Sequence, residues 1–376
     1  MKTSAMATSD MPMRLIMTQR ALSVVLPMII VTALLAPPTA TADPVHYTYT
    51  VSNGRATITG YTGPGGNITI PDTLGAGYPV VHIDFYAFTE ISSITRVTLP
   101  AGLETIREGA FSFCTSLTSL DLPASLIYIG SGAFSQCANL TGIVLPTNLI
   151  SIGSAAFANC GSLASLDLPA SLTYIGPSAF TLCANLTSIA IPAGLTTIES
   201  YVFMNCTRLA RVEIPDGITT IGTSAFEGCT SLSSITIPDS VVTIGSYVFY
   251  NCSSLARLYF VGAPPSLRWF GFYATTATIY YLPSHAAQWP STYDGRPALC
   301  WNPIIGNMSA PSSTTPFSFA ITGTTNIPVA VEASTNLAAR TWDRLLTTNI
   351  PPAGILEFSD ADAASHPFRF YRVVGP

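Results

Sequence analysis

A strict 23-residue period constrains this chain more than any other feature. Phe88, Phe111, Phe134, Phe157, Phe180, Phe203, Phe226 and Phe249 follow one another at that step, and Phe272 continues it. Pro100, Pro123, Pro146, Pro169, Pro192, Pro215 and Pro238 keep the same spacing, as do the isoleucines from Ile106 to Ile244 and the leucines from Leu117 to Leu255. One unit reads LTSLDLPASLIYIGSGAFSQCAN, and no insertion or deletion interrupts the frame from Phe88 to Phe249. A fixed period of this size specifies a stacked array, because one unit buries too little apolar surface to offset its own ordering entropy.

Each column has a physical reading. Leu120 and Leu122 alternate with Ser119 and Asp121, the period-2 pattern of a strand with one buried face. The proline that follows lacks an N–H and ends the strand. A second short extended segment, such as LIYIG, is expected on the other side of the coil, and the small Ala110, Ala133, Ala156 and Ala179 allow close backbone approach beside each phenylalanine. The glycine column Gly130, Gly153, Gly176, Gly222 and Gly245 is interrupted by Arg107 and Glu199, so it cannot strictly require positive φ. Stacked strands advance about 4.8 Å per repeat, so about eight repeats form a slab about 40 Å long.

The ends need caps. At the front, YTYTVSNGRATITGY reads as a hairpin turned at Asn53-Gly54, followed by the cap strand NITIP. Pro71 to Pro100 is 29 residues, one period plus a six-residue insertion. At the back the frame decays after Phe260, and the segment from Ala277 to Pro303 is expected to close the core.

The unit LTSLDLPASLIYIGSGAFSQCANL closely resembles the 23-residue leucine-rich repeat of the BspA-like, Treponema-type surface-protein family, and the flanking YTYTVSNGRATITGYTGPGGNITIP, IYYLP and WNP are similar to segments flanking such repeats in exported bacterial proteins. The resemblance covers about residues 45 to 303. It implies a right-handed, β-rich leucine-rich-repeat solenoid, with adhesion or protein-binding roles at the cell surface and no catalytic residues to carry over. The chain departs from the better-known repeat motif in having no asparagine ladder and a proline after the strand. Residues 310 to 376, ending FRFYRVVGP, resemble the short C-terminal β modules of such proteins.

Composition enters as a membrane question. Only 9% of the 376 residues are charged, 48% are hydrophobic, and the mean hydropathy is +0.43. Part of the excess lies at the N-terminus, where Lys2, Arg14 and Arg20 precede the apolar run Ala21 to Ala36, and Ala40-Thr41-Ala42 follows. That is the pattern of a secretory signal peptide cut after Ala42. An uncleaved anchor is the alternative, but a 16-residue run containing Pro27 is short for a span. Cleavage would leave 12 basic and 19 acidic residues, a net charge of −7 against −5 for the whole chain. Such a balance argues against nucleic-acid binding.

The eight cysteines divide into a column, Cys114 to Cys252 at the 23-residue step, plus Cys300. Column neighbours would have Cα atoms about 4.8 Å apart, inside the disulfide window, yet parallel side chains set their Cβ atoms too far apart for a comfortable bridge. Ile91 holds the column in the first repeat. Buried free thiols are therefore expected; a disulfide or metal ladder is the alternative.

Catalytic chemistry is not evident. His46, His82, His285 and His366 are scattered without partners at metal-ligand spacing, and surface or cap positions are expected for them rather than a zinc site. No G-x-S-x-G elbow occurs. Asp360 and Asp362 look like the opening of a calcium loop, but the glycine and distal glutamate are missing, so a β-turn is expected. No catalytic residue, cofactor or metal is assigned.

What remains is surface. The outward main-strand positions are mostly small and uncharged until the last repeats gather Arg211, Glu213, Arg257 and Tyr259 on one face, with Arg208 nearby. Arg and Tyr favour interface hot spots, so these five residues are the candidate partner-binding patch. A solvated face that merely discourages edge pairing is the alternative.

The expected organisation is a signal peptide at 1–42, an N-terminal cap hairpin at 43–82, leucine-rich repeats at 83–262, a C-terminal cap and linker at 263–308, and a small β-sandwich-like module at 309–376, with APSSTTP as a polar linker and Trp342 and Tyr371 in the module core. The expected protein is an exported, monomeric, non-enzymatic binding or adhesion protein of the cell surface or extracellular space, with the periplasm possible. Its partner would be a protein or surface glycan. An envelope spacer without a specific ligand is the alternative, and an enzyme is the third reading.

Overall fold

The computed structural model describes residues 46–309, 316–336, 341–366 and 369–375, so the expected signal peptide lies outside the described residues. Each 23-residue unit closes one coil of a β-solenoid of about 11 turns with almost no helix. One wall is built from main strands such as Ile94–Thr98, Ser119–Asp121 and Gly142–Val144, paired in parallel at a 23-residue offset, as in Ser119↔Gly142. The opposite wall is the short second segment of each repeat, as in Thr105↔Tyr128 and Ile106↔Ile129.

The core between the walls is a file of identical side chains. The nine phenylalanines from Phe88 to Phe272 are fully buried. Their rings stack nearly parallel, with centroids 4.8 Å apart between Phe88 and Phe111 and 5.8 Å between Phe249 and Phe272. Tyr61 and Tyr47 of the N-terminal hairpin cover the first ring, and Phe260, Trp289 and Tyr293 close the last. That hairpin, Tyr47–Ser52 against Arg55–Tyr61, turns at Asn53 and Gly54, both with positive φ. The six extra residues between Pro71 and Pro100 fall where Thr73–Leu74 pairs antiparallel with Tyr78 and Pro79.

The seven column cysteines are free and fully buried. Each Sγ donates to the carbonyl of the phenylalanine 26 residues earlier, from Cys114 to Phe88 O at 3.2 Å through Cys252 to Phe226 O at 3.0 Å. The thiol therefore fills space as a small apolar group and also satisfies a buried carbonyl of the preceding coil.

The glycine column does not adopt positive φ, in line with its interruption by Arg107 and Glu199. Its glycines serve close approach instead: a Cβ on Gly153 would lie 2.5 Å from Ser131 N and 2.6 Å from Gly130 C of the preceding coil. The left-handed backbone sits elsewhere, two residues before and two after each phenylalanine, at residues as bulky as Tyr201 (φ 64°) and Leu182 (φ 62°). That conformation costs roughly 1–2 kcal/mol for an L-residue. It is held by inter-coil bonds such as Leu182 N–H to Met204 O and Gln136 N–H to Ala158 O, both 2.8 Å.

The C-terminal module is two three-stranded antiparallel sheets. Ile304–Ser309, Phe317–Thr322 and Ile355–Asp360 form one; Asp343–Asn349, Pro328–Ser334 and Phe370–Val374 form the other. Tyr371 packs in its core, but Trp342 does not. The Trp342 ring instead lies half-buried beneath the Arg372 guanidinium, 4.3 Å from its centroid, because alternation along Asp343–Asn349 turns that edge away from the core. Asp360 accepts from Asp362 N–H in a tight turn and is buried against Arg369 and Tyr371 Oη.

Burial pushes the Cys114 and Cys252 thiols up to about 12, with backbone hydrogen bonds opposing the shift. The five thiols between them are also raised, again chiefly by burial. A folded pKa above the unfolded one means that the native state keeps protons the unfolded chain releases. Stability is then complete below the ordinary thiol value of 9.0 and falls as pH rises towards 12. Urea unfolding under reducing conditions is expected to weaken steeply from pH 9 upward, each thiol contributing up to about 1.4 kcal/mol per pH unit. A flat profile to pH 11 would contradict this.

Candidate binding face and cleft

The outward positions of the main strands carry little charge before Arg211, and the ion pairs of the early coils lie at their N-terminal end or off the main strands. Arg96 meets Asp121 at 2.8 Å, Arg107 meets Asp84 at 2.9 Å, and Arg55 pairs with Glu104. The pattern changes at Arg211. Arg211 and Glu213 lie two residues apart on the strand Arg211–Glu213, so both side chains leave the same face, and both are exposed. Arg257 and Tyr259 repeat that arrangement on Arg257–Phe260 two coils later. Among the described residues neither Arg211 nor Arg257 forms an ion pair.

The five candidate residues do not form one exposed patch. Arg211 and Arg257 line a common cleft of about 860 Å³. Glu213 shares a shallower hollow with Arg211, Asp167 and Ser188. Arg208 is exposed in the turn before its strand, where its N–H bonds Ala184 O. Tyr259 is half-buried: its ring stacks on Tyr280 at 5.4 Å and packs against the core of the C-terminal module. Burial raises its phenol well above the ordinary range.

Tyr259 shows why the module docks here. Its outward column holds Asp121, Val144, Asp167, Ala190, Glu213 and Thr236 in earlier repeats, and only the last coils supply aromatic rings. Tyr259, Tyr280, Leu299 and Trp301 join Phe319, Val331 and Phe358 in one apolar cluster. Trp301 Nε1 donates to Pro328 O at 2.8 Å, and Thr324 N–H donates to Asn302 Oδ1 at 2.8 Å.

Docking brings Glu332, Trp342, Arg344 and Thr347 to the far wall of the cleft. Glu332 is buried and accepts both nitrogens of two guanidinium forks, Arg344 at 3.1 and 2.8 Å and Arg372 at 2.9 and 2.8 Å. Burial alone would raise its pKa; the bonds from Arg344 and Arg372 outweigh that and hold it below the ordinary carboxylate range. The repeat columns could not reveal this wall, which lies outside the period. Its one sequence signal is Glu332, a lone charge in the otherwise apolar run PVAVEAS.

The profile described as the BspA type leucine-rich repeat region matches residues 66–187 and 173–291 in six copies, more than half of the chain. The chain belongs to that family. A leucine-rich repeat protein of Bacteroides ovatus is 27% identical, with a TM-score of 0.50, over 63% of this chain and 70% of its own. The T. pallidum leucine-rich repeat protein is 34% identical over 50% of this chain and 88% of its own, with a TM-score of 0.48. A comparison with curated proteins finds no match. Family and fold are thus those of leucine-rich repeat proteins, which generally mediate protein interactions. Among the described residues no helix is long and apolar enough to cross a membrane, and no group of three or more His, Cys, Asp or Glu is placed to hold a metal.

Removing the Glu332 carboxylate would leave Arg344 and Arg372 facing each other against the module. Glu332→Ala is expected to lower unfolding stability by about 2–3 kcal/mol, less than for a fully buried pair because both arginines are half-exposed. Urea unfolding checks it, and a change within about 0.5 kcal/mol would contradict the assigned role.

Proposed function

We propose that this chain is an exported, non-enzymatic binding protein of adhesion type, acting as a monomer at the cell surface or outside the cell. The solenoid carries its binding face, and the partner is a protein or a surface glycan. The observation that carries the reading is the pair Arg211 and Arg257, which form no ion pair among the described residues on a face whose earlier arginine, Arg96, is paired. Unpaired guanidiniums on a rigid strand scaffold suit recognition better than stability, since surface ion pairs contribute little to folding. Membership of a repeat family that generally mediates interactions supports it. Export rests on the n-region, apolar run and Ala40-Thr41-Ala42 signal of the N-terminus. The candidate contact residues are Arg208, Arg211, Glu213 and Arg257, with Tyr259 supporting the face from beneath the C-terminal module.

A second reading, an envelope spacer without a specific ligand, is favoured by the run of small outward residues Ser119, Gly142, Ser165 and Ser188. The test is expression of the full chain in a bacterial host. The exported product should begin at Asp43, bind a partner saturably, and lose at least tenfold in affinity on Arg211→Ala or Arg257→Ala. Retention of residues 1–42 would refute export by cleavage. Absence of any saturable partner would favour the spacer.

A further inference from the structure

We propose that the cleft between the strand face and the C-terminal module binds an acidic saccharide, a chain bearing carboxylate or sulfate groups. The inference rests on the binding-protein reading and names its ligand class. Charge is the first argument. Arg211 and Arg257 on the solenoid side lack ion-pair partners among the described residues, and on the module side Arg344 lines the cleft beside Glu332, whose carboxylate is also held by Arg372 behind the lining. The cleft therefore gathers positive charge on a chain whose formal net charge is −5. A concave site of one sign focuses its field and draws in ligands of the other. Guanidinium forks match carboxylate and sulfate oxygens two at a time.

The floor supplies the second argument. Arg211–Glu213 and Ser234–Ile237 stand side by side, yet no ladder joins them; the sheet of each ends at this seam. Backbone polar groups thus line the groove beside the hydroxyls of Ser234 and Thr236.

The neighbouring cavity supplies the third. Ser234 and Thr236 also line a space of about 300 Å³ walled by Tyr259, Tyr280 and Trp301, which adjoins the cleft across these two residues. Aromatic walls beside the hydroxyls of Ser234 and Thr236 suit a sugar ring, which offers C–H surface to the rings and its own hydroxyls to the serine and threonine. An acidic peptide would satisfy the arginines equally, but peptide recognition relies on apolar anchors in desolvated sockets, and the one aromatic group on the charged cleft, Trp342, is already covered by the Arg372 guanidinium.

The test uses purified mature protein in calorimetric titrations with an oligogalacturonate, dextran sulfate, dextran and poly-glutamate. Binding to the oligogalacturonate or to dextran sulfate, but not to dextran, is expected, with weakening as salt rises. Whichever anionic glycan binds identifies the carboxylate or the sulfate as its recognised group. Arg211→Ala and Arg257→Ala should each reduce affinity at least tenfold, and Arg268→Ala, exposed beside the segment Ser266–Leu267 and outside the cleft, should leave it unchanged. Thermal unfolding of each variant verifies folding. Glycan binding indifferent to Arg211 and Arg257 would overturn the site. Binding of poly-glutamate alone would overturn the ligand class and leave the binding function standing, as would a protein partner found when every anionic probe fails. The absence of any partner would end both readings.

Discussion

The structure depends on the contact between equivalent side chains of successive coils. A phenylalanine at the centre of one coil has no wall of its own repeat on either side; the ring before and the ring after it exclude water. Their near-parallel stack, from Phe88 to Phe272, ties the repeat length to a single value, since one inserted residue would move a ring out of the file. The glycines at Gly130, Gly153 and Gly176 follow from the same demand, because a Cβ there would press into the backbone of the preceding coil. So do the thiols, each bonded to a carbonyl one coil away. Aromatic closure by Tyr61 at one end and Trp289 and Tyr293 at the other ends the file without exposing a ring.

The period made most of this legible in the sequence. Phe111, Leu120 and Ile129 announce their burial by recurrence, and the Asn53-Gly54 turn by its chemistry. Cys137 is ambiguous as a lone residue and clear as a member of a column beginning with Ile91. The left-handed residues flanking each phenylalanine were not legible, because side chains as different as Phe113, Gln136 and Leu182 occupy one of their columns. Inter-coil hydrogen bonds fix that backbone, and such bonds leave no mark on residue type. Of the candidate site, the arginines were visible as departures from a bland column. The cleft was not, since half of it comes from a module outside the period.

That module changes what the last coils present. Where earlier strands turn Asp, Val or Ala outward, Tyr259 and Tyr280 offer rings that a second core can cover. Tyr259 therefore holds the wall of the cleft in place, while Arg211 and Arg257 remain open to a ligand. Exposed rings also gather on the turns of the last coils, where Tyr247 stacks on Phe270 and Tyr250 on Tyr273, and Trp269 is 82% exposed. The end of the solenoid thus differs from its middle on more than one face.

The central claim is that each coil is sealed by its neighbours rather than by its own residues. Hydrogen exchange of a Phe180→Ala variant tests it most directly. Loss of a buried ring costs roughly 3–5 kcal/mol in a packed core. The account predicts that amides around Phe157 and Phe203 lose protection together with those of the altered coil, with the effect fading toward the caps. Loss of protection confined to the coil of residue 180 would contradict it.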